Sequence, residues 1–246
     1  MNMRAAPLVF EMCVLLLGFS PAIAQTAAQP PAGQIIEKYM QALGGKAALE
    51  KVASRTMKGS MEMPEWEVKG AVEVYLKGPD KYLSISNVED WGASQEAFSG
   101  EAGWTRSPDG AVSVMSRSDL ELAKRDNRID RDLKLLELYK WTGAGTAKVA
   151  GRDAWVLEGT PPGGGAEKYY FDAGSGLLLR RDFERVSLEE GIILNQAYYE
   201  DYRDVDGVKI PFTVRRVTQD YSHIVKWSEV RHNVAIEDSK FEKPAK

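Results

Sequence analysis

The chain of 246 residues holds one cysteine, Cys13, and two histidines, His223 and His232. A single thiol excludes a disulfide framework and any cysteine-built zinc or iron–sulfur centre. Two imidazoles leave little for a histidine-built metal site. No charge of either sign is in large excess: 32 basic against 36 acidic side chains leave a net charge of -4. A nucleic-acid binder would carry a basic patch, so no nucleic-acid partner is expected. No apolar run reaches the roughly 20 residues that a membrane-spanning helix needs. What is present is an ordinary globular balance, 43% hydrophobic and 28% charged. The length suits one large core, since single β domains run to about 200–250 residues. Ten Tyr, seven Phe and six Trp suit a sheet-rich protein.

Residues 1–24 read as a cleavable signal peptide. Arg4 supplies a weak positive start, Val14 to Phe19 an apolar centre, and Ala22-Ile23-Ala24 a cleavage pattern. Export to an oxidising compartment is therefore expected. Cys13 follows Phe10-Glu11-Met12, where lipid attachment would need small residues, so it reads as leader filler that is removed. Residues 25–33, rich in Ala, Gln and Pro as far as Pro31, read as an extended linker. Residues 34–246 show no composition break and no exact repeat, and read as one domain.

Helical spacing over Gln34 to Leu43 places Ile35, Ile36, Tyr39, Met40 and Leu43 on one face, and Gly44-Gly45 ends the helix. After Ser54 the period becomes two. Trp66, Val68, Gly70, Val72, Val74 and Leu76 alternate with charged residues, and Met57, Gly59, Met61 and Met63 repeat that parity one strand earlier. Leu83 and Ile85 are expected to continue the inward face after the Gly78-Pro79-Asp80 turn. A second helix is expected over Asp119 to Tyr139, capped by Ser118 and Glu121, with Leu120, Ala123, Ile129, Leu133, Leu136 and Tyr139 as its apolar stripe. Further strands are expected at 148–149, 154–159, 168–171, 177–186, 192–203, 208–217 and 223–232, with Asp206-Gly207 as a hairpin turn. The class is mainly β (α+β): a single antiparallel sheet too wide to stay flat, curled into a cup with helices covering the mouth.

Five stretches carry a family likeness. They are Tyr39 to Leu49, Met57-Lys-Gly59 with Gly70-Ala-Val-Glu-Val-Tyr75, Tyr170-Phe-Asp-Ala-Gly-Ser-Gly-Leu-Leu-Leu-Arg180, Asp201 to Phe212, and His232 to Phe241. In these the chain resembles the bacterial outer-membrane lipoprotein-sorting proteins and the LolA/LolB-like periplasmic lipoprotein carriers. The resemblance implies an unclosed half barrel with a helical lid, a periplasmic location, and acyl chains of lipoproteins or other lipid-like molecules as ligands. Its partners would be acylated lipoprotein or lipid, with an inner-membrane donor and an outer-membrane acceptor. Other members of the fold sense envelope stress, so a non-catalytic sensor or interaction module is the alternative.

Motifs for chemistry are scarce. There is no G-x-S-x-G elbow, and Gly163-Gly-Gly165 lacks the Lys-Ser/Thr of a phosphate loop. His223 and His232, nine apart in one expected strand, should sit on opposite faces. Glu200, Asp201, Asp204 and Asp206 fail the EF-hand pattern. An enzyme would need a polar, shielded cluster inside the cup, and none is legible; no catalysis, cofactor or metal is expected. The candidate ligand-binding residues are the inward apolar ones: Met57, Met61, Trp66, Val68, Val72, Val74, Leu76, Leu83 and Ile85, with Trp104, Trp155 and Leu157 joining them. The same parity serves an ordinary filled core.

Overall fold

The computed structural model describes residues 29–187 and 191–244. The leader at residues 1–24, Cys13 included, lies outside the described residues, as does the start of the linker. Gln29 is already docked: its side-chain amide donates to Val156 O and accepts from Gly145 N, both at 2.8 Å. Helix α1 (Ala32–Ala42) begins two residues before the expected start, so residues 32 and 33 belong to the helix and not to the linker. It ends where the glycines stand. Gly45 N donates to Met40 O at 2.9 Å, and Gly44 has φ +125°. A Cβ on Gly44 would lie 2.0 Å from Gly207 O, so only glycine lets the helix end meet that turn. The short α2 (Lys46–Leu49) follows.

Two meanders make the sheet. The first comprises β1 (Ser54–Met63), β2 (Val68–Lys77), β3 (Lys81–Val88), β4 (Gly92–Ser99), β5 (Ala102–Arg106) and β6 (Val112–Val114). The second comprises β7 (Lys140–Val149), β8 (Arg152–Thr160), β9 (Glu167–Asp172), β10 (Leu178–Ser187), β11 (Gly191–Val205), β12 (Val208–Val217) and β13 (Ser222–His232). β1 pairs with β13 and joins them into one antiparallel sheet of thirteen strands among the described residues. β6 and β7 remain as free edges, so the sheet is an unclosed half barrel. Strands β4 to β6 and most of β7 were not expected; they are short or rich in Gly, Ala, Ser and Thr, and carry little alternation. The Asp206-Gly207 turn forms as expected, with positive φ of 52° and 82° between the paired Val205 and Val208.

This topology forces a crossover. The chain leaves the sheet at β6 and re-enters at β7, the opposite edge, so residues 115–139 must span one face. They hold α3 (Arg117–Asn127), a 3-10 turn at Asp132–Lys134, and α4 (Leu135–Leu138). The single helix expected over Asp119 to Tyr139 is therefore broken: Arg128 takes an extended backbone. Its cap is Ser116, whose Oγ accepts from Asp119 N at 3.2 Å, and not Ser118. Leu120, Ala123, Leu135 and Tyr139 are buried, while Leu136 of the expected stripe is exposed.

Cross-strand partners point to the same face of a sheet, so the pairing fixes which residues look inward. Met57, Gly59, Met61 and Met63 oppose Val74, Val72, Gly70 and Val68, all on the concave face. The loop from β2 to β3 has three residues between the paired Lys77 and Lys81, so even-numbered residues oppose even-numbered ones. Tyr82, Ser84 and Ser86 are therefore concave, opposite Leu76, Val74 and Val72. Leu83 and Ile85 point outward, opposite Tyr75 and Glu73, which corrects the expected parity. A bulge in β13 skips Ser228 between Trp227 and Glu229. It inverts the parity along that strand, so His223 and His232 share one face instead of opposite faces. Gly59 sits at this bulge, where a Cβ would meet Lys226 O at 2.2 Å.

Apolar clusters form on both faces. Helix α1, α4, β8 and β9 enclose Ile36, Leu135, Leu157, Tyr169 and Phe171 on the concave side. Leu120 and Ala123 of α3 pack on Leu76, Tyr82 and Phe98. Outside, Leu83, Ala97 and Trp104 are covered by Ile236 and Phe241 of the C-terminal segment. No helix among the described residues is long and apolar enough to cross a membrane.

Candidate functional site

Between the concave face and the crossover lies a cavity of about 480 Å³. Its sheet wall is Met57 of β1, Val72, Val74 and Leu76 of β2, Tyr82, Ser84 and Ser86 of β3, and Val225 and Trp227 of β13. Inward positions on β12 read Val208, Ile210, Val214 and Arg216, so one strand runs from apolar to cationic along the wall. Leu43, Leu49 and Val52 close the apolar end. The roof is the middle of the crossover: Asp126 to Ile129 and Arg131 to Leu133 line the space.

Of the twelve residues expected to bind a ligand, Met57, Val72, Val74 and Leu76 line this cavity. Met61 and Val68 share the concave face but pack with Met63 and Val225 beyond its wall. Trp155 and Leu157 are concave too, yet they are core under α1, against Tyr169 and Phe171. Leu83, Ile85 and Trp104 belong to the outer core; Trp104 Nε1 donates to Phe241 O at 3.0 Å. Trp66 is not in a strand. It ends a 3-10 turn, is 48% exposed, and packs against Tyr221 with ring centroids 4.7 Å apart.

A polar, shielded cluster does exist in the cup, against the expectation from sequence. Its hub is Glu167 of β9, 3% exposed. Glu167 Oε2 accepts from Arg181 Nε at 2.8 Å, Tyr169 Oη at 3.0 Å and Tyr139 Oη at 3.3 Å. Its Oε1 accepts from Arg125 Nη2 at 3.2 Å. Arg181 Nη2 also donates to Asp126 Oδ1 at 2.9 Å, and Arg185 pairs with the other oxygen of Asp126. Arg131 Nη2 donates to Tyr169 Oη at 3.0 Å, and Tyr39 Oη to Asp132 Oδ1 at 3.1 Å. Arg125, Asp126, Arg131 and Asp132 belong to the crossover; Glu167, Tyr169, Arg181 and Arg185 belong to the sheet. The cluster therefore latches the roof to the wall. Apolar contacts hold the two ends of the crossover, and charged hydrogen bonds hold its middle.

The electrostatics follow from burial. Burial works against the Asp126 charge, but Arg181, Arg185 and Arg131 outweigh it and hold the carboxyl below its ordinary value. Glu96, on the cavity wall, is pushed up by burial, and Arg216 offsets only part of this. His223 lies opposite Arg216 on the next strand; burial and that guanidinium lower it to about 4. Burial and Arg55 likewise lower His232 to about 4. Arg55 Nε donates to His232 Nε2 at 3.0 Å, so the two are a neutral–cationic pair with no sign of ligation. The acidic residues of the β11–β12 hairpin have other partners: Glu200 and Asp201 pair with Arg215 and Arg203, and Asp204 Oδ1 accepts from Gly207 N at 3.0 Å. Among the described residues no group of three metal-ligating side chains comes together.

One signal in the sequence could have found part of the cluster. Arg181, Phe183 and Arg185 alternate with Asp182 and Glu184, so both arginines share the face of an apolar neighbour.

No protein-family model and no curated protein matches the sequence. Solved structures do. A DUF1329 family protein from Desulfovibrio piger superposes with a TM-score of 0.59 at 16% identity, covering 86% of this chain and 97% of that one. A LolA superfamily protein from Nitrosomonas europaea gives 0.58 at 13%, covering 87% and 98%. A putative outer membrane lipoprotein-sorting protein domain from Vibrio parahaemolyticus gives 0.57 at 15%, covering 86% and 97%. The chain has a LolA-like fold. Likeness at this level of identity carries the fold, and function has to be argued from the site. In this LolA-like sheet the candidate site is the roofed cavity, whose β12 wall runs from Val208 to Arg216 and whose lining also holds Arg55 of β1.

Proposed function

We propose that this protein is a non-catalytic periplasmic carrier that buries the acyl chain of a lipoprotein or another lipid-like amphiphile in the roofed cavity. The observation that carries the reading is the cavity itself: about 480 Å³, walled by Met57, Val72, Val74, Leu76, Ile210 and Val225, under a crossover latched by ion pairs. That volume falls in the ordinary range of ligand sites, about 300–1,000 Å³. Each methylene withdrawn from water contributes about 0.8 kcal/mol, so a chain binds by burial without polar help. The likeness to a putative lipoprotein-sorting domain supports the same reading.

The latch suits a roof that opens. Separating an apolar seam exposes it to water at full cost. Separating ion pairs returns both partners to hydration, which offsets most of the lost attraction. The moving part is the segment over the cavity, Asp126 to Leu133, more than the whole of α3. Transfer would be passive, with the acyl chain leaving for a partner at a membrane. A periplasmic site of action agrees with the leader-like residues 1–24. The carboxylates and tyrosines of the cluster are engaged by arginines, which fits structure better than turnover.

Native mass spectrometry of protein taken gently from the envelope of its host tests this. The expected result is a bound amphiphile mass that Val74→Asp removes from a folded protein. A clean unliganded mass throughout would instead favour an interaction module on the same fold.

A further inference from the structure

A second compartment of about 600 Å³ adjoins the acyl cavity, and the two share Glu96, Asp126, Asn127, Arg131, Tyr199 and Arg216. Its walls are of different chemistry. Arg131, Arg181, Arg185 and Arg216 face Glu96, Asp119 and Asp126, four cations against three carboxylates. The arginines are not equivalent. Arg181 and Arg185 are bound to Asp126, and Arg131 reaches Asp132 at 3.4 Å. Arg215, pointing outward, pairs with Glu200 at 3.0 Å, but Arg216 has no carboxylate within 4.0 Å among the described residues. Arg216 is exposed to the compartment, ends the inward row of β12, and borders both spaces. Arg131 Nε, of the same lining, is buried and has no hydrogen-bond partner among the described residues. An unpaired cation and an unused donor thus stand at the waist where the apolar wall ends.

We propose that this compartment holds the headgroup of the amphiphile whose chain fills the cavity, and that it selects an anionic oxygen headgroup through Arg216, with Arg131 as a second donor. This rests on the acyl-chain reading of the adjoining cavity. The chain places the headgroup, because an acyl chain laid along Val208, Ile210 and Val214 reaches Arg216 where that aliphatic row ends and the second compartment begins. Charge sets the sign: an anion makes the charge-assisted hydrogen bond that Arg216 lacks. A quaternary ammonium would meet a lining whose four guanidinium groups outnumber its three carboxylates. Glu96 faces Arg216 from the first meander, and its raised carboxyl is the group best able to take up a proton when an anion arrives.

The test is a binding series on the full protein with amphiphiles that share one saturated chain: the fatty acid, the alkyl phosphate, the alcohol and the trimethylammonium. The readout is the ratio of anion to alcohol affinity within each variant. The expected ratio is about tenfold or more in the unaltered protein, the value of one charged hydrogen bond. Arg216→Gln should bring it to about one and Arg216→Lys should restore part of it, while Arg215→Gln should leave it unchanged. Preference for the phosphate alone points to a phospholipid-type headgroup, and equal preference for the carboxylate to any anion; both support the site. A ratio near one in the unaltered protein, or one that survives Arg216→Gln, overturns the headgroup site while leaving the acyl cavity intact. Failure of every amphiphile, the alcohol included, overturns the acyl reading itself.

Discussion

His232 and Arg55 meet across the seam that joins the two meanders. Arg55 donates to the imidazole, which must therefore present a lone pair and stay neutral. Protonation would set two cations against each other in a buried place. Both His232 and His223 have folded values of about 4 against an ordinary 6.5, so the unfolded chain binds these protons more readily than the folded one. Stability from them is complete above about pH 6.5 and declines as the pH falls toward 4. Thermal melts over that interval should show a falling midpoint. His232→Gln, which can still accept from Arg55, should flatten part of the slope. An unchanged slope in the double variant with His223→Gln would show that the histidines are not its source.

At the scale of elements, the crossover is the part whose attachment can be weighed. Glu167 gathers two arginines and two tyrosines in a buried place. Removing its charge leaves Arg125 with only Asp126, 3.7 Å away, and Arg181 with one partner fewer, and breaking a buried pair from one side costs about 3–5 kcal/mol. Glu167→Gln should lose stability on that order in chemical denaturation and raise amide exchange first over residues 126–133. A loss within about 0.5 kcal/mol, as for a surface change, would mean the latch bears no strain. These elements were unequally legible. In β1 and β2 alternation against charged neighbours gives the inward face from Met57 to Met63 and from Val68 to Leu76, because the bulge at Gly59 places its extra residue in β13 and leaves the parity of β1 intact. Leu83 and Ile85 were misplaced because β3 turns Ser84 and Ser86 inward and these two outward under Ile236 and Phe241, and only the length of the 78–80 loop decides which face is inward. The histidine parity failed on one skipped residue, Ser228. The latch was illegible for another reason: its ion pairs from crossover to sheet join residues 42 to 59 apart, and no local pattern pairs Asp126 with Arg185. The break in the crossover belongs with it: Arg128 is extended and residues 129–131 turn, while Arg125 and Asp126 before the break and Arg131 after it are each tied to the sheet.

At the scale of the molecule, the sheet's two free edges and the single chain that spans them make a cup with a roof, and along β12 its wall passes from Val208 and Ile210 to Arg216. Burial on both faces explains why the inward row need not be filled: the outer face carries its own core under Ile236 and Phe241. The central claim is that the space beneath the crossover takes an acyl chain. It is tested most directly by titrating a fluorescent fatty-acyl probe into the unaltered protein and into Val74→Trp, which fills the cavity from a half-buried position of β2. The account predicts binding at one site per chain, weakened about tenfold or more in the variant, as if roughly two methylenes lost their burial. Equal affinity in both proteins would contradict it.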